Sequence, residues 1–328
     1  MKGQSINWGV LEGLDKSNFF THALDLMKRQ ASINQVYAEW LDLMKVDLEK
    51  VNRLDQMPFL PIHFFKTHAI YSGDTCPDFY FQSSGTTEDT LSKHYIADLA
   101  IYEQSFMSCF HQFYGSPKDY CILGLLPNYL EKQHSSLVYM THSLMEASEN
   151  ASSGFYLYDF EKLNATLEKL EKARQKTLLI GVSFALMDFA DAFPQQLSHT
   201  IVMETGGMKG RKQELTKPAL HAYLSNGFGV DSIHSEYGMT ELLSQAYSRG
   251  GGIYNCPPWM KVLVADESDP SAISETGRGV LHIIDLANQN SCAFIATEDI
   301  GIVYTDGSFE VLGRQDKSAR RGCSLLVV

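Results

Sequence analysis

A short stretch in the first third of the sequence gathers hydroxyl groups directly after the apolar run DFYFQ. Its residues are Ser83, Ser84, Gly85, Thr86 and Thr87, followed further along by Lys93. The backbone N–H groups and hydroxyls of such a loop can donate hydrogen bonds to a polyphosphate, while a lysine neutralises its charge. A polar surface loop that leads into a helix N-cap explains the same residue types, so this segment alone does not decide between the two.

Paired glycines follow a second strand-like run, HTIVM, in the sequence ETGGMKG. Gly206 and Gly207 carry no side chain, so a flat ring could lie against their backbone. Ligands of open α/β sheets bind at the carboxyl ends of the strands, where this pair is expected. A Gly-Gly turn is also common without a ligand.

A third segment, YGMTE, contributes Tyr237, Gly238, Thr240 and Glu241. A carboxylate at a strand end and opposite a phosphate loop is a reasonable ligand for Mg²⁺. The alternative is structural, because Thr240 can cap a helix and a glutamate then suits the positive end of the helix dipole.

The fourth segment runs from TEDIG at 297–301 to GRQD at 313–316. Asp299 could bind both vicinal hydroxyls of a ribose through its two carboxylate oxygens, and Arg314 could join it. Between them, Asp306 and Gly307 form an Asp-Gly pair that predicts a hairpin turn.

The surrounding pattern predicts the elements that would position these segments. Residues 17–56 show apolar side chains at three- and four-residue spacings, which predicts amphipathic helices. From about residue 78, short apolar runs, beginning with DFYFQ, alternate with helical stretches, which predicts a mainly parallel sheet with helices on both faces. After about residue 255, closely spaced runs including CAFIAT and IGIVYTDG predict an antiparallel subdomain.

The amino-acid composition indicates the broad class of protein. The chain has 328 residues, a net charge of −12 and 44% apolar residues, which is typical of a folded globular protein and argues against a nucleic-acid partner. No apolar run approaches the roughly 18 residues that span a bilayer, and the first residues lack the pattern of a secretory signal. Six scattered cysteines predict free thiols in a reducing cytoplasm.

Taken in order, the segments SSGTT…K, TGGMKGR, YGMTE and TEDIG…GRQD resemble the adenylate-forming superfamily of acyl-CoA synthetases, luciferases and peptide-synthetase adenylation domains. Within it, the chain is most similar to LuxE-like acyl-protein synthetases and then to phenylacetate-CoA ligases. The lead-in LPIHFFK and the helical N-terminal segment support that placement.

The resemblance implies ATP and Mg²⁺ as cofactors and assigns roles to individual residues. It implies that Ser83, Ser84, Gly85, Thr86, Thr87, Lys93, Gly206, Gly207, Tyr237, Gly238, Asp299 and Arg314 bind the nucleotide. Thr240 would lie beside the α-phosphate, and Glu241 would coordinate Mg²⁺. Two departures from the family pattern concern the first segment: Glu88 stands where glycine is usual, and an insertion displaces Lys93.

The resemblance also implies an α/β fold of the adenylate-forming N-terminal-domain type, with layered sheets and a small β-rich subdomain. We predict a helical segment at 1–75, α/β sheets at 76–255, the β-rich subdomain at 256–316 and a tail at 317–328. Only 12 residues follow Asp316, so the mobile C-terminal domain of the superfamily is expected to be absent. LuxE-like proteins are similarly short and carry an acylated cysteine near the C-terminus, which implies this role for Cys323. A half-buried cysteine in a docked terminal strand is the structural alternative.

The leading hypothesis is ATP-dependent activation of a fatty or related carboxylic acid to acyl-AMP, followed by transfer to a protein thiol. The thiol would be Cys323 or that of an acyl-accepting partner such as a reductase or carrier. Three alternatives stay open: a degenerate adenylate-forming fold that only binds nucleotide or acyl groups, an acyl- or aryl-CoA ligase, and an α/β hydrolase. The last would use Ser183, because GVSFA resembles a nucleophile elbow, although a helix N-cap is the simpler explanation of this serine.

Overall fold

The computed structural model describes residues 7–84, 91–127, 132–206 and 215–315. The α-helices of these residues are α1 (Trp8–Glu12), α2 (Phe19–Ile33), α3 (Gln35–Leu43), α4 (Phe64–Thr67), α5 (Leu99–Tyr114), α6 (Ser136–Ser148), α7 (Phe160–Lys172), α8 (Ser183–Ala192) and α9 (Lys217–Phe228). The strands are β1 (Leu60–Pro61), β2 (Tyr80–Gln82), β3 (Lys93–Tyr95), β4 (Cys121–Leu125), β5 (Gly154–Phe155), β6 (Thr177–Gly181), β7 (Thr200–Glu204), β8 (His234–Tyr237), β9 (Ala246–Ser248), β10 (Met260–Ala265), β11 (Ile273–Ser274), β12 (Gly277–Asp285), β13 (Phe294–Val303) and β14 (Phe309–Arg314). Within these ranges, no helix combines the length and apolar character needed to cross a membrane.

The predicted parallel sheet is confirmed as six strands in the order β5-β4-β6-β7-β8-β9, of which only β9 runs antiparallel to its neighbour. Every residue of β4 and β6 is buried, because helices cover both faces of the sheet. Side chains of α5 and α6 pack on one face, and those of α7, α8 and α9 pack on the other. This sheet places the carboxyl ends of β7 and β8 side by side.

The prediction that DFYFQ belongs to this sheet is wrong. Its strand β2 pairs with β3 in a separate two-stranded antiparallel ladder, with Gln82 opposite Lys93. The reason lies in the length of the connection, because only ten residues separate Gln82 at the end of β2 from Lys93 at the start of β3. A parallel crossover needs a dozen or more residues, so the short return produces an antiparallel pair.

The predicted antiparallel subdomain is confirmed as a second six-stranded sheet, ordered β1-β13-β12-β10-β11, with β14 also paired to β13. The separate strands predicted for CAFIAT and IGIVYTDG are one continuous strand, β13. The polar run TED between them suggested a break. Its alternate residues Thr297 and Asp299 instead turn towards the interior, where the Thr297 hydroxyl donates to the Leu281 carbonyl at 2.8 Å.

The N-terminal segment is built into this second sheet. Strand β1 lies parallel to the first residues of β13, with Leu60 opposite Ile295. Helix α2 packs against the loop that joins β12 to β13. There the fully buried Gln30 side chain donates to the carbonyls of Asn288 and Gln289 and accepts from the Ala293 N–H. The domain boundaries proposed from the sequence stay predictions.

One buried histidine in β12 should make folding stability depend on pH. His282 is 5% exposed, its ring lies 4.7 Å from that of Phe59, and its buried Nδ1 has no hydrogen-bond partner among the described residues. Burial lowers the pKa of His282 to about 4, from the ordinary 6.5. Between these values the unfolded chain binds a proton at this residue and the folded chain does not. The free energy of unfolding therefore falls as the pH falls through this window.

We predict that His282→Leu flattens this dependence. Between pH 6.5 and 4, the free energy of unfolding measured with urea should fall less steeply than in the wild type. The difference should reach at most about 1.4 kcal/mol per pH unit, the value for one proton. His111→Gln, at an exposed position of α5, should keep the wild-type slope. Equal slopes for the wild type and His282→Leu would contradict the proposed protonation difference.

Candidate functional site

The hydroxyl-rich segment begins and ends on a fixed base. The N–H of Ser83 donates to the Ser92 carbonyl at 3.1 Å, and the N–H of Ser92 donates to the Ser83 hydroxyl at 3.0 Å. These bonds extend the β2–β3 ladder by one pair and bring Ser83 and Ser92, the two ends of the hydroxyl-rich loop, together. Ser84 is exposed at its start, whereas Gly85, Thr86, Thr87 and Glu88 lie outside the described residues.

A buried histidine next to this loop holds the YGMTE segment. The ring of His94 donates through Nδ1 to the Thr240 carbonyl at 2.8 Å, and its Nε2 lies 3.1 Å from Oδ1 of Asn288. The Asn288 amide in turn donates to the Glu241 carbonyl at 2.9 Å. His94 and Asn288 are both fully buried, and together they fix two consecutive carbonyls and therefore the backbone that carries Thr240 and Glu241.

Glu241 lies where several segments meet. Its side chain is 5% exposed and accepts a hydrogen bond from the Ser92 hydroxyl. Burial raises the pKa of Glu241, and the Ser92 bond and the positive charges of Arg314 and Lys66 oppose that rise. The carboxyl is thus connected to the base of the hydroxyl-rich loop and lies within the electrostatic reach of Arg314.

Three residues predicted to bind the nucleotide form one hydrogen-bonded group. The hydroxyl of Tyr237 donates to Oδ2 of Asp299 at 2.8 Å, and Nε of Arg314 donates to Oδ1 of the same carboxylate at 3.1 Å. Asp299 and Arg314 are directly opposite each other in the β13–β14 pair. Burial and the Asp299 carboxylate raise the pKa of Tyr237 well above its ordinary value, so its hydroxyl stays a donor.

The glycine turn after β7 is held by a buried carboxylate. Oε2 of Glu204 accepts from the Gly206 N–H at 2.8 Å, while its Oε1 pairs with Nζ of Lys217 at 2.5 Å. Gly206 has a φ of +71°, which favours glycine, and no atom of the described residues lies within 4 Å of the point where a Cβ would project. Burial alone would raise the pKa of Glu204, but hydrogen bonds and charge from His221 and Lys217 lower it to about 2. Gly207 lies outside the described residues.

The structure describes the surroundings of Lys93, and its predicted role at the nucleotide phosphates stays a prediction. Strand alternation turns Lys93 to the face opposite His94, and its Nζ lies 4.6 Å above the Tyr80 ring. No described helix begins at Thr240, so its alternative role as an N-cap is excluded there. Cys323 lies outside the described residues.

Ser183 is neither an N-cap nor an exposed nucleophile. Val182 occupies the N-cap position of α8, and Ser183 is 1% exposed. Its hydroxyl donates directly to Glu204 at 3.4 Å, without a histidine between them. A nucleophile elbow instead exposes the serine and pairs it with a histidine base, so this geometry does not support the hydrolase alternative.

Sequence reasoning missed His94, Asn288, Asp285 and Glu204. The fully buried Asp285 accepts from the N–H groups of Leu243 and Ser244 at 2.8 and 3.0 Å, which fixes the chain just after Glu241. One feature of the sequence could have indicated that His94 points towards the site. Because side chains alternate along a strand, Ser92 and His94 must share one face if Lys93 occupies the other.

The fold matches that of adenylate-forming enzymes. The structure of ATP-bound MatB from Rhodopseudomonas palustris is 19% identical with a TM-score of 0.53, over 72% of this chain and 47% of that chain. A long-chain-fatty-acid-CoA ligase from Archaeoglobus fulgidus is 15% identical with a TM-score of 0.51, over 75% of this chain and 53% of that one. The class of the protein is therefore that of the adenylate-forming fold.

Within this class, the sequence matches the model of one family over most of its length. The model of the family described as "Acyl-protein synthetase, LuxE" matches residues 11–328, and the chain belongs to that family. The long-chain-fatty-acid–luciferin-component ligase of Aliivibrio fischeri is 23% identical over 185 residues, which are 51% of this chain and 49% of that protein. The alignment thus spans about half the length of this curated relative.

We predict that His94 and Asn288 stabilise the fold as a coupled pair. His94→Phe leaves the Thr240 carbonyl unpaired in the interior and should lower the free energy of unfolding by about 2 kcal/mol or more. Asn288→Leu should also destabilise, and the double variant should lose less than the sum by about 1 kcal/mol. Urea unfolding of the four proteins measures this coupling.

The control combines His94→Phe with Glu171→Gln. Glu171 accepts hydrogen bonds from the backbone of Ser198 and His199 at the opposite end of β7. These two changes should add within about 0.5 kcal/mol, because the sites share no partner. Additivity of the His94 and Asn288 changes would show that the pair does not act as a unit.

Proposed function

We propose that this chain activates a carboxylic acid, fatty or related, with ATP and then transfers the acyl group to a protein thiol. The observation that carries the proposal is the convergence of four sequence segments on one site. The base of the hydroxyl-rich loop touches Glu241 through Ser92, Glu241 lies within the electrostatic reach of Arg314, and Arg314 pairs with Asp299. Gly206 and Tyr237 follow from neighbouring strand ends. Membership of the LuxE acyl-protein synthetase family supports the same activity.

In the first step, an oxygen of the acid carboxylate attacks the α-phosphorus of ATP. The bond from that phosphorus to the bridging oxygen breaks, and pyrophosphate leaves. Asp299 and Arg314 would hold the ribose, and the open side of Gly206 would accept the flat adenine. Thr240, whose carbonyl is fixed by His94, would present its hydroxyl and N–H to the α-phosphate.

The site suits Mg²⁺ that arrives with the nucleotide. In the described part of the chain, no group of three or more potential metal-binding side chains occurs. Mg²⁺ is usually held by one or two carboxylates together with substrate phosphates, and Glu241 supplies one such carboxylate. When bound, the ion would neutralise charge on the phosphates. The buried surroundings of Glu241 keep that carboxyl in one place.

In the second step, a thiolate attacks the acyl carbon, the bond to the AMP oxygen breaks, and a thioester forms. Cys323 is the proposed acceptor within this chain. The five described cysteines suit the role poorly, because burial raises the pKa of each thiol, that of Cys256 and of Cys292 to about 12. Arg320 and Arg321 precede Cys323 and would favour its thiolate. A reductase or carrier protein would receive the acyl group next.

We predict acid-dependent exchange of labelled pyrophosphate into ATP with this protein. Glu241→Gln should lower the exchange rate about 100-fold or more, since it removes the carboxylate proposed to hold the Mg²⁺ that neutralises the phosphates. Glu275→Gln, at an exposed position of the hairpin after β11, should exchange at the wild-type rate. Folded wild-type protein that exchanges with no carboxylic acid would refute the activity. Nucleotide binding under those conditions would instead favour a binding subunit.

A second prediction concerns the acceptor. Cys323→Ser should retain pyrophosphate exchange and lose the covalent label from radioactive acid plus ATP, because serine is a much weaker nucleophile than a thiolate. Cys76→Ser, a matched change at a partly exposed cysteine, should keep the label. Label that persists on Cys323→Ser would show that another residue accepts the acyl group.

A further inference from the structure

A buried ion pair joins the end of β7 to the start of α9. Oε1 of the fully buried Glu204 lies 2.5 Å from Nζ of Lys217, whose side chain is 24% exposed. The two residues are 13 positions apart in the sequence and flank the Gly206 turn. Removing two charges from water is unfavourable, and apolar side chains of similar size often stabilise a fold as well as a buried ion pair does. The stability of the sheet alone therefore does not explain why these two positions are charged.

The second oxygen of Glu204 fixes the backbone of the Gly206 turn. Oε2 accepts from the Gly206 N–H at 2.8 Å and from the Ser183 hydroxyl of α8 at 3.4 Å. Nε2 of His221, one turn further along α9 than Lys217, lies 3.4 Å from Oε1. An ionised carboxylate accepts stronger hydrogen bonds than a neutral group does. Contacts from α8 and α9 thus hold a charged acceptor in one position under the turn.

The cation of the pair reaches the other side of the site. Nζ of Lys217 also donates to the Tyr254 hydroxyl at 3.0 Å. The ring of Tyr254, which is 2% exposed, packs 5.8 Å from the ring of Tyr237. Tyr237 in turn donates to Asp299 at 2.8 Å. The ion pair is therefore in contact with the glycine turn at one end and, through two tyrosines, with Asp299 at the other.

We propose that Glu204 and Lys217 are positioning residues for the nucleoside half of ATP. The carboxylate sets the conformation of the Gly206 turn, and the cation supports the tyrosines that orient Asp299. This inference rests on the proposed function, since that function places the adenine at Gly206 and the ribose at Asp299. It adds that the ion pair controls the affinity for ATP and acts neither on the phosphates nor on the acid.

The expected effect follows from preorganisation of the turn. Gly206 has a φ of +71° and, as a glycine, has several other backbone conformations available. A site that is formed in only a fraction of the molecules binds its ligand more weakly by that fraction. If loss of the pair leaves the turn formed in about one molecule in ten, the Kd for ATP rises about 10-fold.

Calorimetric titration with Mg-ATP in the absence of acid tests the pair without turnover. Lys217→Met removes the cation, keeps a side chain of similar length and should raise the Kd for ATP about 10-fold. Lys217→Arg restores the positive charge and should bind ATP more tightly than Lys217→Met. Lys261→Met is the matched control and should keep the wild-type Kd. Lys261 pairs with Glu275 at 2.6 Å and is 30% exposed, but it lies in β10.

A double variant separates positioning from stability. Lys217→Met alone leaves the Glu204 carboxylate buried without its cation, which destabilises the fold. Glu204→Leu combined with Lys217→Met removes both charges and should recover stability in urea unfolding. The Kd of this double variant for ATP should nevertheless stay about 10-fold above that of the wild type, because the Gly206 N–H has lost its acceptor.

Pyrophosphate exchange supplies a readout that a general loss of structure would not give. The KM for ATP should rise about 10-fold in the double variant. The KM values for pyrophosphate and for the acid, and kcat at saturating ATP, should change by less than about 2-fold. Pyrophosphate has neither base nor ribose, so its binding reports on the phosphate side of the site alone.

Failure of this inference and failure of the proposed function give different results. An unchanged Kd for ATP in both variants, a Lys217→Arg protein no better than Lys217→Met, or KM values that all rise together would overturn the positioning role and leave the function intact. Weakened ATP binding in both variants, with a wild type that exchanges no pyrophosphate, would support the positioning role and overturn the activity. A wild type that neither binds ATP nor exchanges pyrophosphate would overturn both.

Discussion

The loop that joins β12 to β13 is buried, and the arrangement of the site depends on how its polar groups are satisfied. Asp285, the last residue of β12, and Asn288, Gln289 and Ser291 of the loop are each at most 2% exposed. Loops usually run over the surface because their backbone groups need partners. Here the partners come from three distant segments: Gln30 and Asn34 of the N-terminal helices, His94 of β3 and Ser244 after the YGMTE motif. One loop thereby fixes Glu241 relative to both the hydroxyl-rich loop and the N-terminal segment.

Each buried carboxyl group near the site lies in a different electrostatic environment. Glu204 is paired with Lys217, and its pKa falls to about 2. Asp285 receives only neutral donors, and burial raises its pKa. Asp299 is bound to Arg314 and Tyr237 at the edge of the second sheet. A region so rich in carboxyl groups repels a polyphosphate unless cations accompany it, which agrees with the proposed use of Mg²⁺.

The sequence was sufficient to predict those features of the fold that depend on local patterns. Buried apolar runs such as β4 and β6, separated by amphipathic helices, predicted the parallel sheet. The resemblance to the adenylate-forming superfamily implied that Tyr237, Asp299 and Arg314 belong to one nucleotide site, and their side chains are hydrogen-bonded in one group. Local patterns were insufficient where two residues far apart in sequence make contact: His94 and Asn288 are separated by 194 positions, and no local spacing marks the contact of their side chains. Strand β2 was assigned to the wrong sheet because five residues specify an extended conformation but not a partner.

The two-residue strand β1 has a consequence for the order in which the protein can assemble. β1 and β14 lie end to end along the same side of β13, with Leu60 opposite Ile295 and Arg314 opposite Asp299. During synthesis β1 leaves the ribosome early and has no partner until almost the whole chain has followed. The parallel sheet can form in the meantime, since its strands lie between residues 121 and 248. The pairing of β1 therefore waits for the synthesis of β13, and a fragment without the first 62 residues would present the start of β13 as an open edge to other chains.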